Sequence, residues 1–232
     1  FCMKNILFII LIFLSTPLMA LWHVGLKAGV HITSITYDER FNTRVVVQEF
    51  KLGYMGGLSF QYFNQPNIGI QMEVLYIQQG FKTKLDTLEN IQYERTIDYL
   101  TIPMLMHAYI GKKRFNMSIL LGPYISYALS SNEEFTEGDV SFQQDYEWDR
   151  EIDNRFEFGL QAGLGFRNSF KFGIIELEGM FLFGLTSIYK WGAVNSDPDK
   201  DIFFPLPEQA QNQGIQITIS YYKSFGKIPE KK

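Results

Sequence analysis

The stretch from Arg155 to Arg167, R-F-E-F-G-L-Q-A-G-L-G-F-R, leaves a chain few ways to fold. Successive side chains of an extended strand point to opposite faces. Phe156, Phe158, Leu160, Ala162, Leu164 and Phe166 therefore share one face, and Arg155, Glu157, Gly159, Gln161, Gly163, Gly165 and Arg167 share the other. A half-buried soluble strand sustains such alternation for about four to eight residues. This run is longer, and matches the roughly 9–11 residues with which a tilted strand crosses a bilayer. The stretch predicts a transmembrane β-strand.

The same two-faced pattern recurs at 23–33, 50–62, 68–79, 99–110, 115–127, 174–185 and 214–225. The connections between these runs alternate long and short. Tyr37 to Glu49, Lys82 to Asp98, Ser131 to Asp153 and Ser187 to Asn212 are long, whereas Asn64 to Asn67, Gly111 to Arg114 and the turn around Asn168 and Ser169 are short. Short turns at one end and long loops at the other are the layout of an outer-membrane barrel. The pattern predicts an all-β, eight-stranded antiparallel up-and-down transmembrane β-barrel spanning 21–226, with its first and eighth strands paired, because no backbone group can stay unpaired in lipid. An even strand number puts both termini on the periplasmic side. On the apolar face, aromatic residues gather near both ends of the strands, as in two interfacial girdles. Pro103 and Pro123 cannot donate to a ladder, and the spacing predicts a bulge or widened ladder with Pro103 opposite Gly122 and Pro123 opposite Ile102.

Composition supports this architecture. With 46% hydrophobic residues and a mean hydropathy close to zero, the chain is no bundle of apolar transmembrane helices, but it suits alternating strands. A formal charge of -4 argues against a nucleic-acid partner. The single cysteine, Cys2, permits no internal disulfide or cysteine metal cluster. Lys4 and the apolar run Ile6 to Leu14, ending at Ala20, predict a signal peptide over 1–20, too short to span a membrane. Lys227 to Lys232 is a basic tail.

Alternation alone also fits a secreted lipocalin-like binding barrel with its apolar face inward. Volume favours the membrane reading. The glycines, among them Gly25, Gly29, Gly53, Gly57, Gly159, Gly163 and Gly165, fall on the charged face, where a narrow barrel has least room. Bulky aromatics on the opposite face would overfill a calyx.

The segments G-L-K-A-G-V at Gly25 to Val30, I-G-I-Q-M-E-V-L-Y-I-Q-Q-G-F at Ile68 to Phe81, Y-L-T-I-P-M-L at Tyr99 to Leu105 and L-G-P-Y at Leu121 to Tyr124 resemble the outer-membrane β-barrel domain of Bacteroidota, labelled PorT-like or porin family protein. The resemblance spans the mature chain. It implies an eight-stranded outer-membrane barrel, mostly of no assigned activity, and the PorT label carries an association with type IX protein secretion.

Two sets of residues are candidates for function. Lys27, Lys51, Glu73, Arg155, Glu157, Arg167, Glu176 and Glu178 fall on the inward face, four cations with four carboxylates, and predict an ion-pair network plugging the lumen. Glu157 is expected near Glu176 and Glu178, with a cation between them. The second set lies in the third long connection, where Glu133 to Asp153 holds nine carboxylates and one cation, Arg150. Asp145, Glu147, Asp149, Glu151 and Asp153 alternate in phase with Arg155, so a strand continuing above the bilayer would align them as a stripe for a divalent cation or a basic partner. Trp191, Phe203 and Phe204 in the fourth connection are candidate partner anchors.

An enzyme is not expected. His23, His31 and His107 share the inward phase but lie far apart in register, and no nucleophile, base and orienter converge. No cofactor motif is present, since the glycines follow strand period without a following helix. The sequence reads as a monomeric outer-membrane barrel in contact with lipid and lipopolysaccharide. Its role is structural, or surface interaction with a protein partner at the long loops. Type IX secretion and a small pore are the alternatives.

Overall fold

The computed structural model describes residues 21–37, 46–85, 91–112, 114–137, 140–150, 152–190 and 210–226. The predicted signal peptide, the basic tail, Glu151, Trp191, Phe203 and Phe204 lie outside them. Ten strands are formed among the described residues: β1 (Leu21–Tyr37), β2 (Val46–Glu49), β3 (Lys51–Phe63), β4 (Ile68–Leu85), β5 (Ile91–Lys112), β6 (Phe115–Glu137), β7 (Val140–Asp145), β8 (Phe156–Ser169), β9 (Ile174–Ser187) and β10 (Ala210–Phe225). Each long strand pairs antiparallel with its chain neighbour, and β1 pairs with β10 over its whole length, from Trp22 opposite Phe225 to Tyr37 opposite Ala210. The ring β1-β3-β4-β5-β6-β8-β9-β10 is closed, so this is an eight-stranded barrel without a free edge in the membrane-crossing part. No helix among the described residues is long and apolar enough to cross a membrane.

The apolar phase faces out. Leu160 is 47% exposed and Gln161, its chain neighbour, 4%, and Val24, Leu58, Met72, Ile102, Leu121, Phe181 and Ile217 share the exposed face. Lys27, Glu73, Ser118, Glu176 and Thr218 are buried inside. This inversion of a soluble protein's polarity excludes the lipocalin-like reading. Aromatic pairs mark both borders of the apolar band. Trp22 and Tyr62 lie 4.6 Å apart near the short turns, and Tyr127 and Phe156 lie 4.9 Å apart near the long loops.

The inner glycines make room for rings. Tyr222 lies over Gly25, its cross-strand partner, and Tyr124 over Gly159; a Cβ at either glycine would fall within 2.5 Å of a ring atom. No real Cβ approaches so closely, so these positions exclude any side chain.

Several expectations about the ladder need correction. Lys82 to Asp98 is not one polar connection, because β4 runs to Leu85 and β5 begins at Ile91, the two pairing as far as Lys84 opposite Gln92. Likewise β6 continues to Glu137 and turns back into β7, and Val46–Glu49 of the first long connection pairs with β4, shifted by one residue relative to β3. These extensions stand beyond the apolar band, where neither face needs to be apolar and the two-faced signal fades. The register of the β5-β6 hairpin also differs by two residues. Gly111 and Lys112 stay in the ladder, Lys112 opposite Phe115, so Pro103 faces Tyr124 rather than Gly122. The ladder is interrupted between Pro103 and Met106, opposite Leu121 to Tyr124. Prolines explain the gap, since each removes a donor there. The bulge of this hairpin lies higher, where Leu129 is the extra residue between Asp98 opposite Ser130 and Tyr99 opposite Ala128.

Candidate functional site: a layered lumen

From the short-turn end upward, the lumen holds an ionic layer, an apolar layer and a cap. The ionic layer is built by β1, β4, β8 and β9, whose inward phases carry Lys27, Glu73, Arg167, Glu176 and Glu178. Lys27 Nζ lies 2.6 Å from Glu73 Oε1 and 2.5 Å from Glu178 Oε2. Arg167 donates from Nε and Nη2 to Glu176 Oε2, at 3.2 and 2.8 Å, and also pairs with Gln61. Neutral donors complete the set: Gln71 Nε2 to Glu73 at 2.6 Å, Ser59 Oγ to Glu73 at 3.1 Å and Ser118 Oγ to Glu176 at 2.8 Å. Five of the eight expected network residues therefore meet.

Three do not join them. Lys51 pairs with Glu94 at 2.6 Å on the loop side. Arg155 turns to the Leu129 carbonyl at 3.0 Å and lies over the rings of Tyr127 and Trp148. Glu157 is buried, but Tyr124 Oη and Asn212 Nδ2 serve it, each at 2.6 Å, with no cation. It is also far from Glu176 and Glu178. Antiparallel pairing sets those two opposite Arg167 and Gly165, at the other end of β8. Among the described residues, the interior below the cap thus has two cations, Lys27 and Arg167, for the carboxylates of Glu73, Glu157, Glu176 and Glu178, instead of the even balance expected.

Above the ionic layer, Leu105, Leu120, Tyr124, Met180 and Leu182 pack as one apolar cluster and Met55, Leu75 and Ile77 as another. The cap follows. Ile35, Phe81, Ile188, Tyr189 and Ala210 form a buried cluster on which Ile152 packs, and Trp148 packs on Ile97, Tyr99 and Ala128. Arg95, 1% exposed, is the centre of this layer. Its guanidinium carbon lies 3.6 Å from the centroid of the Tyr146 ring, its Nη2 3.5 Å from Asp153 Oδ1, and its Nε donates to Ser131 Oγ at 3.0 Å. Asp153 in turn accepts from Tyr146 Oη at 3.1 Å and from the Asp149 amide at 2.9 Å. Burial, with Asp153 adding to it, pushes the Tyr146 phenol above its usual range against the pull of Arg95.

The expected acidic stripe is dispersed by this arrangement. β8 starts at Phe156, so Asp145, Glu147, Asp149 and Asp153 do not continue it; Asp145 ends β7, opposite Asn132, and Asp153 points inward to Arg95. Glu147 is exposed on a stretch that is not strand. Among the described residues, no three His, Cys, Asp or Glu side chains gather in a way that could hold a metal ion. The Arg95 clamp was missed in the sequence because its members come from β5, β6 and the connection between β7 and β8. The one available signal was the cluster Tyr146, Trp148 and Ile152 in an otherwise acidic loop.

A family model described as outer membrane protein beta-barrel domain matches residues 15–190. No curated protein matches the chain. Among solved structures, the outer membrane protein OprG from Pseudomonas aeruginosa is 14% identical, with 87% of this chain and 95% of OprG covered at a TM-score of 0.46. Ail, the attachment invasion locus protein of Yersinia pestis, is 10% identical, with 87% and 98% covered at a TM-score of 0.38. Neisserial surface protein A is 8% identical, with 85% and 96% covered at 0.39. A match over most of the chain, on a closed barrel with an apolar exterior, makes this protein a member of the outer membrane protein beta-barrel domain family.

Proposed function

We propose that the protein is a closed, non-conducting outer-membrane barrel that presents its β5-β6-β7 extension for surface interaction. The observation that carries this reading is the Arg95 cap, which fills the lumen beneath the long loops with rings and a buried ion pair. A water-filled channel needs a continuous open polar path; the cap and the apolar layer interrupt it, and the ion pairs fill the lumen below them. Beyond the apolar band β5, β6 and β7 form a sheet that carries Glu133, Glu134 and Asp145 together with exposed Val140 and Phe142. This surface suits a protein partner or the lipopolysaccharide around it. The long-loop end is outward and both termini are periplasmic, and the closed ring supports a monomer. The role in type IX secretion rests on the family resemblance alone.

Planar-bilayer recording tests the closed lumen. The protein is expected to leave the baseline current unchanged, and steady unitary conductance would refute the reading. A photo-crosslinking residue at Phe142 is expected to capture a surface neighbour in the native membrane, and no adduct there, against clear adducts from a lipid-facing control at Leu160, counts against surface interaction.

A further inference from the structure

At the opposite end, the short-turn mouth opens into a cavity of about 530 Å³. That is within the range of small-molecule sites, about 300–1,000 Å³. Among the described residues its wall includes Arg167, Lys171 and Lys223 and no carboxylate. Glu176 already neutralises Arg167, so the two lysines leave the mouth net positive. Lys171 makes no ion pair among the described residues. Among the described residues the Lys223 ammonium has only the Phe172 carbonyl, at 3.5 Å.

Polar side chains line the same cavity deeper in. Asn116 is 8% exposed and lines this cavity, yet its amide has no hydrogen bond among the described residues. The amide is thus open to the cavity and free to donate to a ligand there. Arg167 is likewise 3% exposed and commits Nε and Nη2 to Glu176 and Gln61. Ser169 and Tyr109 add hydroxyls to the same wall, while Phe170, Phe172 and Ile174 make the other side apolar.

The geometry points to a binding site for a phosphomonoester at this mouth, its oxyanion on Lys171, Lys223 and the Asn116 amide and its organic group against Phe170 and Phe172. A dianion with three terminal oxygens fits several cations and neutral donors arriving from different strands. The volume exceeds that of phosphate alone, and the apolar wall accounts for the remainder. The same chemistry is offered by a soluble organic phosphate or by the headgroup of phosphatidate.

Titration calorimetry on the full chain in neutral detergent, with glycerol 3-phosphate as probe, tests the soluble source. Native mass spectrometry from mixed micelles, with phosphatidate against phosphatidylcholine, tests the lipid source. Binding in either arm that falls about tenfold or more in K171Q/K223Q supports the site and identifies its source. Both lysines are exposed, so this variant does not threaten folding. Asn116→Leu is expected to weaken the same probe without altering retention of phosphatidylcholine. No binding in both arms, or binding unchanged in K171Q/K223Q, overturns the assignment.

Discussion

Replacing Lys27 with methionine tests the ionic layer most directly. Lys27 is 4% exposed and is the cation shared by Glu73 and Glu178, whose side chains are 2% and 0% exposed. Its removal leaves two buried carboxylates facing one another with no counter-charge. Breaking a buried pair from one side costs about 3–5 kcal/mol. Because Ser59 and Gln71 still donate to Glu73, the loss is expected near about 3 kcal/mol. The triple variant K27M/E73Q/E178Q removes all the charge together and is expected within about 1–2 kcal/mol of the parent. Urea unfolding in phospholipid vesicles, followed by tryptophan fluorescence, measures both. A K27M barrel within about 1 kcal/mol of the parent, or a triple variant no better than the single one, would refute the claim that this layer is a charge-compensated plug.

Other perturbations probe the remaining layers. Leu160→Arg is expected to lose about 2–4 kcal/mol in the same assay if its position is near the midplane, and an unchanged midpoint would contradict the outward apolar face. Gly159→Val should drive its side chain into the Tyr124 ring and lower the yield of heat-resistant folded barrel on a gel, whereas Gly179→Val, with open space at its Cβ, should not. Arg95→Ala is expected to release the connection before β8, so that trypsin cuts at Arg150 several-fold faster than in the parent. On the β5 extension beyond the apolar band, burial alone would raise the Glu94 carboxyl, but Lys51 and Lys82 hold it below its ordinary value. A depressed folded pKa means stability present above the unfolded value and lost as pH falls through the folded one. Glu94→Gln should therefore unfold earlier than the parent at pH 7, and the difference should shrink as the pH falls into the acid range.

The membrane-crossing part was legible because lipid imposes a rule at every second residue: Leu160 and Gln161 differ in exposure as their alternation implies. Above the apolar band that rule lapses. Thr83, Arg95 and Ser131 are inward and buried there, yet nothing apolar on the opposite phase marks them as strand. Charge pairing was less legible still. Phase told that Arg155 and Glu157 share a face with Arg167, but not their height, and height depends on register across hairpins whose turns differ by only two residues. Lys51 left the expected network because its strand carries it up to Glu94. Asp153 joined the cap because the chain before Phe156 folds inward instead of extending β8.

The order of the layers fixes from which side each part of the lumen can be reached. Arg95 and Trp148 close the long-loop end, and between them and Asn116 stand the apolar cluster around Leu120 and the ion pairs of Lys27 and Arg167. A ligand in the mouth cavity therefore enters past Lys171 and Lys223, from the short-turn side, whatever the state of the cap. Opening the top with Arg95→Ala should speed tryptic cleavage yet leave glycerol 3-phosphate or phosphatidate binding unchanged. K27M, which disturbs the floor of the cavity without touching its rim, should weaken stability more than binding. If Arg95→Ala altered binding as strongly as K171Q/K223Q, the two ends would have to communicate through the ionic layer, and the view of that layer as a rigid partition would fail.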